Sequence, residues 1–164
     1  MRRIEEIRKH PVFAEQMREI ANDERDRIFC GHDMDHLLAV ARIGYILSRE
    51  EFTGPANQIP KEMIYAAALL HDIGRHMQYS EGLPHNEAGA ELAEGILRDT
   101  GFSEEEIREI VSAIRSHRKM QDASDAGFAE IIYLADKKSR ACYMCAARNE
   151  CNWPEEKMNL TLIY

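Results

Sequence analysis

The stretch at residues 63–74, Met-Ile-Tyr-Ala-Ala-Ala-Leu-Leu-His-Asp-Ile-Gly, decides the fold of this 164-residue chain. Its first eight residues form the longest apolar run of the sequence, and His71 and Asp72 follow this run directly. The run predicts a buried helix, in which an unpaired imidazole or carboxylate would be costly. A bound metal ion would explain both polar groups. Partners for such an ion are available in His36 upstream and Asp136 downstream.

Apolar residues at helical spacing predict helices along most of the chain. Several of these patterns begin at a capping or first-turn residue, such as Asp33, Pro60 or Ser103. Gly101 is suited to a left-handed helix end. No run of alternating residues predicts a strand. The six predicted helices cover residues 11–27, 33–52, 60–71, 85–100, 103–117 and 127–140.

These patterns predict an all-α fold, a bundle of about five to seven helices. We expect residues 1–140 to form the helical domain and residues 141–164 to form an irregular, cysteine-containing tail packed on it. A chain of this length buries roughly two thirds of the surface that its unfolded form exposes, which is enough to enclose a site.

The charge of the chain excludes one class of function. Its formal net charge is −8, whereas general nucleic-acid binding relies on an excess of Lys and Arg. Residues 1–6 are charged where a signal peptide is apolar, and no apolar run approaches the roughly 20 residues of a membrane span. We therefore expect a cytoplasmic protein without membrane contact. A small anionic substrate would need locally clustered positive charge.

Six histidine and aspartate residues form an ordered set along the predicted helices. Apart from the adjacent pair, each lies on or at the end of a different helix, and a bundle can bring such side chains together. A lone helix histidine is usually a surface residue or a satisfied core residue, and His85 or His117 alone would be interpreted that way. The joint pattern favours a shared metal centre. The set is His36, His71, Asp72, His85, His117 and Asp136.

The local sequence around these residues resembles the HD superfamily of metal-dependent phosphohydrolases. The resemblance covers roughly residues 28–140 and rests on three segments, which are residues 31–36 (Gly-His-Asp-Met-Asp-His), 68–74 and 134–137. It implies that one divalent metal ion is held by His36, His71, Asp72 and Asp136.

His32 competes with His36 as the ligand of the first segment. His36 is preferred because the apolar residues that follow it continue in helical register. His32 would then support the site from behind or lie on the surface.

Some members of this superfamily hold two ions with additional histidines, and His85 and His117 match that extension. Asp72 would then bridge the ions through its two oxygens. The mixed nitrogen and oxygen ligands suit Fe, Mn, Ni, Co or Zn better than Ca or Mg. The resemblance implies hydrolysis of a phosphoester or phosphoanhydride by a metal-activated water.

A phosphorylated substrate also needs cations beside the metal ions. Arg75 follows the His-Asp pair by three residues, Lys137 adjoins Asp136, and Arg118 adjoins His117. Each could equally be a solvated surface cation. We assign Asp72, Lys137 and Arg75 to the catalytic set. A small phosphorylated compound is the expected substrate, with nucleotides as the favoured class.

The four cysteines form a second set with ligand-like spacing, since Cys142, Cys145 and Cys151 fall within ten residues. In a reducing compartment such clustering indicates metal or redox chemistry more than disulfides. Cys30 precedes His36 by six residues and Cys142 follows Asp136 by six, so antiparallel helices would bring both cysteines to one end of the bundle. The four thiols could hold structural zinc or an iron–sulfur cluster. Ordinary reduced thiols are an equal alternative.

Two other functions stay open at this point. One is a non-catalytic sensor that binds a nucleotide or reads metal or redox state through the cysteines. The other is oxidative chemistry at a di-iron centre on a similar scaffold. Apolar positions in the first predicted helix are compatible with a homodimer.

Overall fold

The computed structural model describes residues 1–118 and 127–164. These residues form helices and turns without a strand, so the all-α prediction is confirmed. None of the described helices is both long and apolar enough to cross a membrane. The α-helices are α1 (Arg2–Lys9), α2 (Pro11–Asp23), α3 (Met34–Glu50), α4 (Pro55–Gln58), α5 (Lys61–Leu70), α6 (Arg75–Glu81), α7 (His85–Asp99), α8 (Glu104–Ser116) and α9 (Phe128–Lys138).

Helix α5 lies at the centre of the bundle. It packs against α3, α8 and α1 and also contacts α7 and α9. Three consecutive alanines, Ala66, Ala67 and Ala68, are fully buried in it, and small side chains let the neighbouring helices approach closely. Burial of this apolar run fixes where α5 ends. The His-Asp pair that follows is therefore held at a defined point inside the bundle.

Two predicted helix starts and one predicted helix end are confirmed by their local structure. The Asp33 carboxylate accepts a hydrogen bond from the His36 backbone N–H at 2.9 Å, which starts α3 one turn before the first candidate ligand. Ser103 and Glu106 form a reciprocal capping box at the start of α8. Gly101 adopts a φ of 83°, the left-handed conformation predicted for it.

Other elements differ from the sequence prediction. The first predicted helix extends to residue 27, but α2 ends at Asp23 because the next carboxylate, that of Glu24, accepts a hydrogen bond from the His32 backbone N–H. Helices α1, α4 and α6 are not predicted. Helix α6 has no buried residue and so carries no apolar period for sequence reasoning to detect.

The C-terminal tail is built from three short 3₁₀ turns, Cys142–Met144, Arg148–Glu150 and Glu155–Lys157. It is attached to the end of α9 by Asn159, whose side-chain amide donates to the carbonyls of Lys137 at 2.7 Å and Arg140 at 2.8 Å. These are carbonyls that a helix end leaves without intrahelical partners. The tail thus completes α9, and α9 carries one of the candidate ligands.

Candidate metal centre

The structure brings the six predicted histidine and aspartate ligands together. They come from the ends of five helices, and all six are buried. His36 lies in the first turn of α3, and His71 and Asp72 directly follow α5. His85 opens α7, His117 directly follows α8, and Asp136 lies in the last turn of α9. Because the packed helices are rigid, their ends hold these side chains at fixed separations.

Four of the ligands form a first group at the end of α5. The ligating atoms of His36, His71, Asp72 and Asp136 all lie within 4.8 Å of one another. His71 Nε2 is 3.0 Å from Asp72 Oδ2, and His36 Nε2 is 3.6 Å from the same oxygen. Asp136 Oδ1 lies 3.4 Å from His36 Nε2. Two imidazoles and two carboxylates at these separations suit a divalent transition metal.

Asp72, His85 and His117 form a second group with the same close spacing. His85 Nε2 is 3.3 Å from Asp72 Oδ1 and 3.3 Å from His117 Nε2. Asp72 therefore turns its Oδ2 toward the first group and its Oδ1 toward the second. This is the bridging arrangement that a two-metal site requires.

Each histidine is oriented by a hydrogen bond at Nδ1. His71 Nδ1 lies 2.8 Å from the Ala68 carbonyl, and His117 Nδ1 lies 2.5 Å from the Ile114 carbonyl. A ring held at Nδ1 by a carbonyl turns Nε2, its metal-binding atom, toward the centre. The Nδ1 atoms of His85 and His36 contact Gln78 Oε1 at 2.5 Å and Ser139 Oγ at 3.2 Å.

The electrostatics of the centre also favour a cation. Burial alone would lower the pKa of His71, but the carboxylates of Asp72 and Asp136 raise it to about 10. Burial alone would raise the pKa of both carboxyls, whereas neighbouring imidazoles hold the pKa of Asp72 and the pKa of Asp136 well below their usual range. Both carboxyls are therefore ionised, which is the form that binds a metal ion.

The two histidines of the second group are held in their neutral form. Burial lowers the pKa of His85 to about 3 and the pKa of His117 to about 4. Both rings are therefore uncharged near neutral pH, which is the form in which imidazole binds metal.

Two buried polar atoms support metal binding because the described residues leave them without a hydrogen-bond partner. His71 Nε2 and Asp72 Oδ2 are fully buried and find no hydrogen-bond partner among the described residues. Buried polar atoms in native proteins are nearly always satisfied. Both atoms point at the centre of the first group, so a divalent ion there would fit the residues present.

Close backbone contact holds the His-Asp turn against α7. A Cβ at Gly74 would lie 2.3 Å from the His85 carbonyl oxygen and 2.5 Å from the Gly89 backbone nitrogen. Only glycine permits this approach. The contact places the turn that carries Asp72 directly against the start of α7, where His85 lies.

The predicted cations lie beside the ligands. Arg75 Nε contacts Asp72 Oδ1 at 2.9 Å, and Lys137 Nζ contacts Asp136 Oδ2 at 2.7 Å. Both line a cavity of about 480 Å³ that opens onto the centre. Arg118, which is exposed, lines the same cavity.

Sequence reasoning missed Arg140, which is buried in the site. Its Nη2 lies 2.9 Å from Asp136 Oδ1 and 3.3 Å from His36 Nε2, and its Nη1 donates to the Gly31 carbonyl at 3.2 Å. Burial alone would lower the pKa of this guanidinium, but the carboxylates of Asp136 and Asp72 raise it. An arginine at a helix end usually lies in solvent, so its sequence position carried no signal.

His32 is buried beside the centre, so the surface position considered for it is wrong. Its Nδ1 pairs with the Glu24 carboxylate, and its Nε2 is 3.8 Å from Asp72 Oδ2. Tyr79 also donates to Glu24 at 2.6 Å. Burial alone would raise the pKa of Glu24, but hydrogen bonds from His32 and Tyr79 lower it to about 2. The preference for His36 as ligand agrees with this geometry.

The cysteines are arranged differently. Cys30, Cys142 and Cys151 line the cavity beside the centre, and Cys145 is half-buried in the tail. All four cysteines lie in the described part of the chain. Within that part, the groups of three or more candidate ligand atoms that lie within 4.8 Å of one another are the two histidine and aspartate groups above, and neither contains a cysteine. This geometry does not support the tetrathiolate site.

Comparison with known proteins agrees with the geometry. The HD domain family model matches residues 33–141, a range that contains all six ligands. An uncharacterized protein of Clostridium beijerinckii is 43% identical over 141 residues, which are 86% of this chain and 85% of that protein. The crystal structure of a predicted HD superfamily hydrolase from an uncultured Thermotogales bacterium aligns with a TM-score of 0.60 and 26% identity. That alignment covers 88% of this chain and 79% of the other.

Proposed function

This chain belongs to the HD domain family, and we propose that it is a metal-dependent phosphohydrolase with a two-metal site. The substrate would be a small molecule with a phosphoester or phosphoanhydride bond, and nucleotides are the favoured class. The observation that carries this proposal is the position of Asp72, whose two oxygens face two separate groups of buried ligands.

Each ligand has a defined part in the proposed site. His36, His71 and Asp136 would hold one ion, His85 and His117 the other, and Asp72 both. Divalent ions bound there would supply a water of lowered pKa and a clamp for the phosphate. The metal would be Fe, Mn, Ni, Co or Zn, since imidazole ligands disfavour Ca and Mg.

Cations of the chain would bind the phosphate itself. Arg75 and Lys137 each contact a ligand carboxylate and also face the cavity, so a phosphate at the ions would lie within their reach. Arg75 offers a planar fork for two phosphate oxygens, and Lys137 offers a compact charge. Arg118 lies farther out on the rim. Arg140, buried behind Asp136, would hold that carboxylate and His36 in place.

A substrate screen tests the proposal directly. The protein, loaded in turn with each of the five metals, would be incubated with nucleoside monophosphates, dinucleoside polyphosphates, cyclic dinucleotides and non-nucleotide phosphate esters. We expect release of phosphate or of a nucleotide product. His71→Ala should abolish turnover, whereas His10→Ala, at the α1–α2 junction and outside the cavity lining, should keep it.

Three outcomes would contradict the proposal. Turnover that survives His71→Ala would show that the centre is not the catalytic site. Tight nucleotide binding without turnover under every metal would favour a sensor. Oxygen consumption with an organic substrate, in place of phosphate release, would favour di-iron chemistry.

A further inference from the structure

Two aromatic side chains, Phe29 and Trp153, line the cavity that opens onto the metal centre. Both lie outside residues 33–141, the range matched by the family model. The ligands lie inside that range. The chemistry and the aromatic wall are therefore supplied by different parts of the sequence, and the wall comes from segments that the family model does not match.

The side chain of Lys137 lies between Trp153 and Asp136. Lys137 Nζ is 5.4 Å from the centre of the Trp153 ring and 2.7 Å from Asp136 Oδ2. The same ammonium thus connects the ring to a ligand carboxylate. A phosphate at the ions would meet Lys137, and the group esterified to that phosphate would lie close to the indole.

The segment that carries Trp153 is anchored. Asn159 fastens the tail to the carbonyls of Lys137 and Arg140, and the Tyr164 hydroxyl pairs with the Glu51 carboxylate on the residue after α3. The tail that carries Trp153 is therefore attached to α9, which also carries Asp136. A rigid aromatic surface of this kind can stack with a flat ligand at little entropic cost.

The charge of the cavity is opposite to that of the whole protein. The chain has a net charge of −8, yet among the described residues the cavity is lined by five basic side chains and by one acidic residue, Asp136. Such local positive charge attracts a phosphorylated anion. The volume of about 480 Å³ is within the usual range for small-molecule sites. The basic side chains are Arg27, Arg75, Arg118, Lys137 and Arg140.

We infer that Trp153, together with Phe29, forms a stacking subsite for the base of a nucleotide whose phosphate lies at the metal centre. The position of the phosphate rests on the proposed function. The tail thereby selects among phosphorylated compounds those that carry a flat aromatic ring. Stacking on an aromatic side chain tolerates different bases, so discrimination between bases would be modest.

Intrinsic fluorescence provides the first test because Trp153 is the one tryptophan of the chain. The protein as purified, with its metals, would be mixed in a stopped-flow instrument with AMP or with ribose 5-phosphate, which lacks the base. Stacking predicts rapid quenching of the Trp153 emission by AMP and little change with ribose 5-phosphate. Equal responses to the two compounds, or no response to AMP, would overturn the inference.

Variants provide the second test. Calorimetry on the protein loaded with a metal that does not support turnover would give dissociation constants for the same two compounds. Trp153→Ala should weaken AMP binding by about 10-fold or more and leave ribose 5-phosphate within about 2-fold. Trp153→Phe should restore most of the AMP affinity. Tyr143→Ala, on an exposed aromatic residue of the tail, should change neither.

These results separate the subsite from the proposed function. If AMP quenches Trp153 but no phosphate ester is hydrolysed, the phosphohydrolase proposal fails and the subsite stands. If both compounds are hydrolysed with equal kcat/KM and Trp153 does not respond, the subsite fails and the phosphohydrolase stands. Equal weakening of both compounds by Trp153→Ala would show a structural role for the indole and would also overturn the inference.

Discussion

The histidine and aspartate residues and the cysteines have similar sequence patterns but very different arrangements in the fold. Both sets consist of ligand-type residues that span 100 or more positions of the sequence. The histidines and aspartates converge into two groups with separations of 4.8 Å or less, whereas no cysteine belongs to such a group in the described part of the chain. The difference lies in the structure that carries each set.

Every histidine and aspartate ligand lies within or directly beside the end of a packed helix. Their imidazoles are further oriented at Nδ1, as His71 is by the Ala68 carbonyl. Cys30 lies before α3, and the other three cysteines lie in or directly after short 3₁₀ turns that follow α9. Three of the four are only half-buried. Core packing therefore fixes the first set, whereas the second lies in segments outside the core cluster.

The largest effect should come from removing the charge of Asp72 without changing its shape. Asp72→Asn takes the anionic bridge from both ligand groups, so we expect kcat to fall by at least about 10³-fold. Metal analysis should show loss of both ions. Asp99→Asn changes an exposed carboxylate and is the matched control. An Asp72→Asn protein that keeps two ions and full activity would contradict the bridging role.

Metal removal should destabilise the protein, and the affinity for the metal should depend on pH. An ion bound at 100-fold excess over its Kd contributes roughly 2.7 kcal/mol to the unfolding free energy, so a chelator should lower the Tm. The raised pKa of His71, about 10, means that an ion must displace a proton from Nε2. Metal affinity should therefore rise as the pH increases from 6 to 8. Calorimetric titration at several pH values would measure it, and a constant affinity would exclude the displacement.

The contrast between packed helix ends and the other segments also explains how much of the structure could be predicted from the sequence. Helix starts at Asp33 and Ser103 follow from local hydrogen bonds, and the ligand positions follow from the helices, so both were predicted from sequence. Arg140 could not be, because its burial depends on Gly31, which lies 109 positions away. The place of Trp153 depends on a tail without helical period. Sequence reasoning succeeded where local rules determine the structure and failed where distant contacts do.

The contact between Gly74 and α7 gives a way to disturb one region without touching a ligand. Gly74→Ala would force a methyl group against backbone atoms of His85 and Gly89, so we expect a loss of about 1–3 kcal/mol in unfolding free energy. Displacement of His85 should also weaken binding of the second ion.

Gly95→Ala is the matched control for this variant. Gly95 lies in α7, and a Cβ there would meet no atom within 4 Å. Gly95→Ala should therefore stabilise the protein by about 0.5–1 kcal/mol. Denaturant unfolding with metal analysis measures both variants. If Gly74→Ala is as stable as the parent protein and keeps both ions, the close approach does not set the spacing of the ligand groups.

The smallest effect should come from the cysteines. Cys145 lies outside the cavity lining and outside both ligand groups, so Cys145→Ser should leave the metal content unchanged and the unfolding free energy within about 0.5 kcal/mol. His117→Ala, which removes a ligand of the second group, is the contrasting variant and should lose one ion. If Cys145→Ser instead loses an ion or the absorption of an iron–sulfur cluster, the thiols do converge around a metal. The tail would then be held by ligand bonds as firmly as core packing holds the histidines.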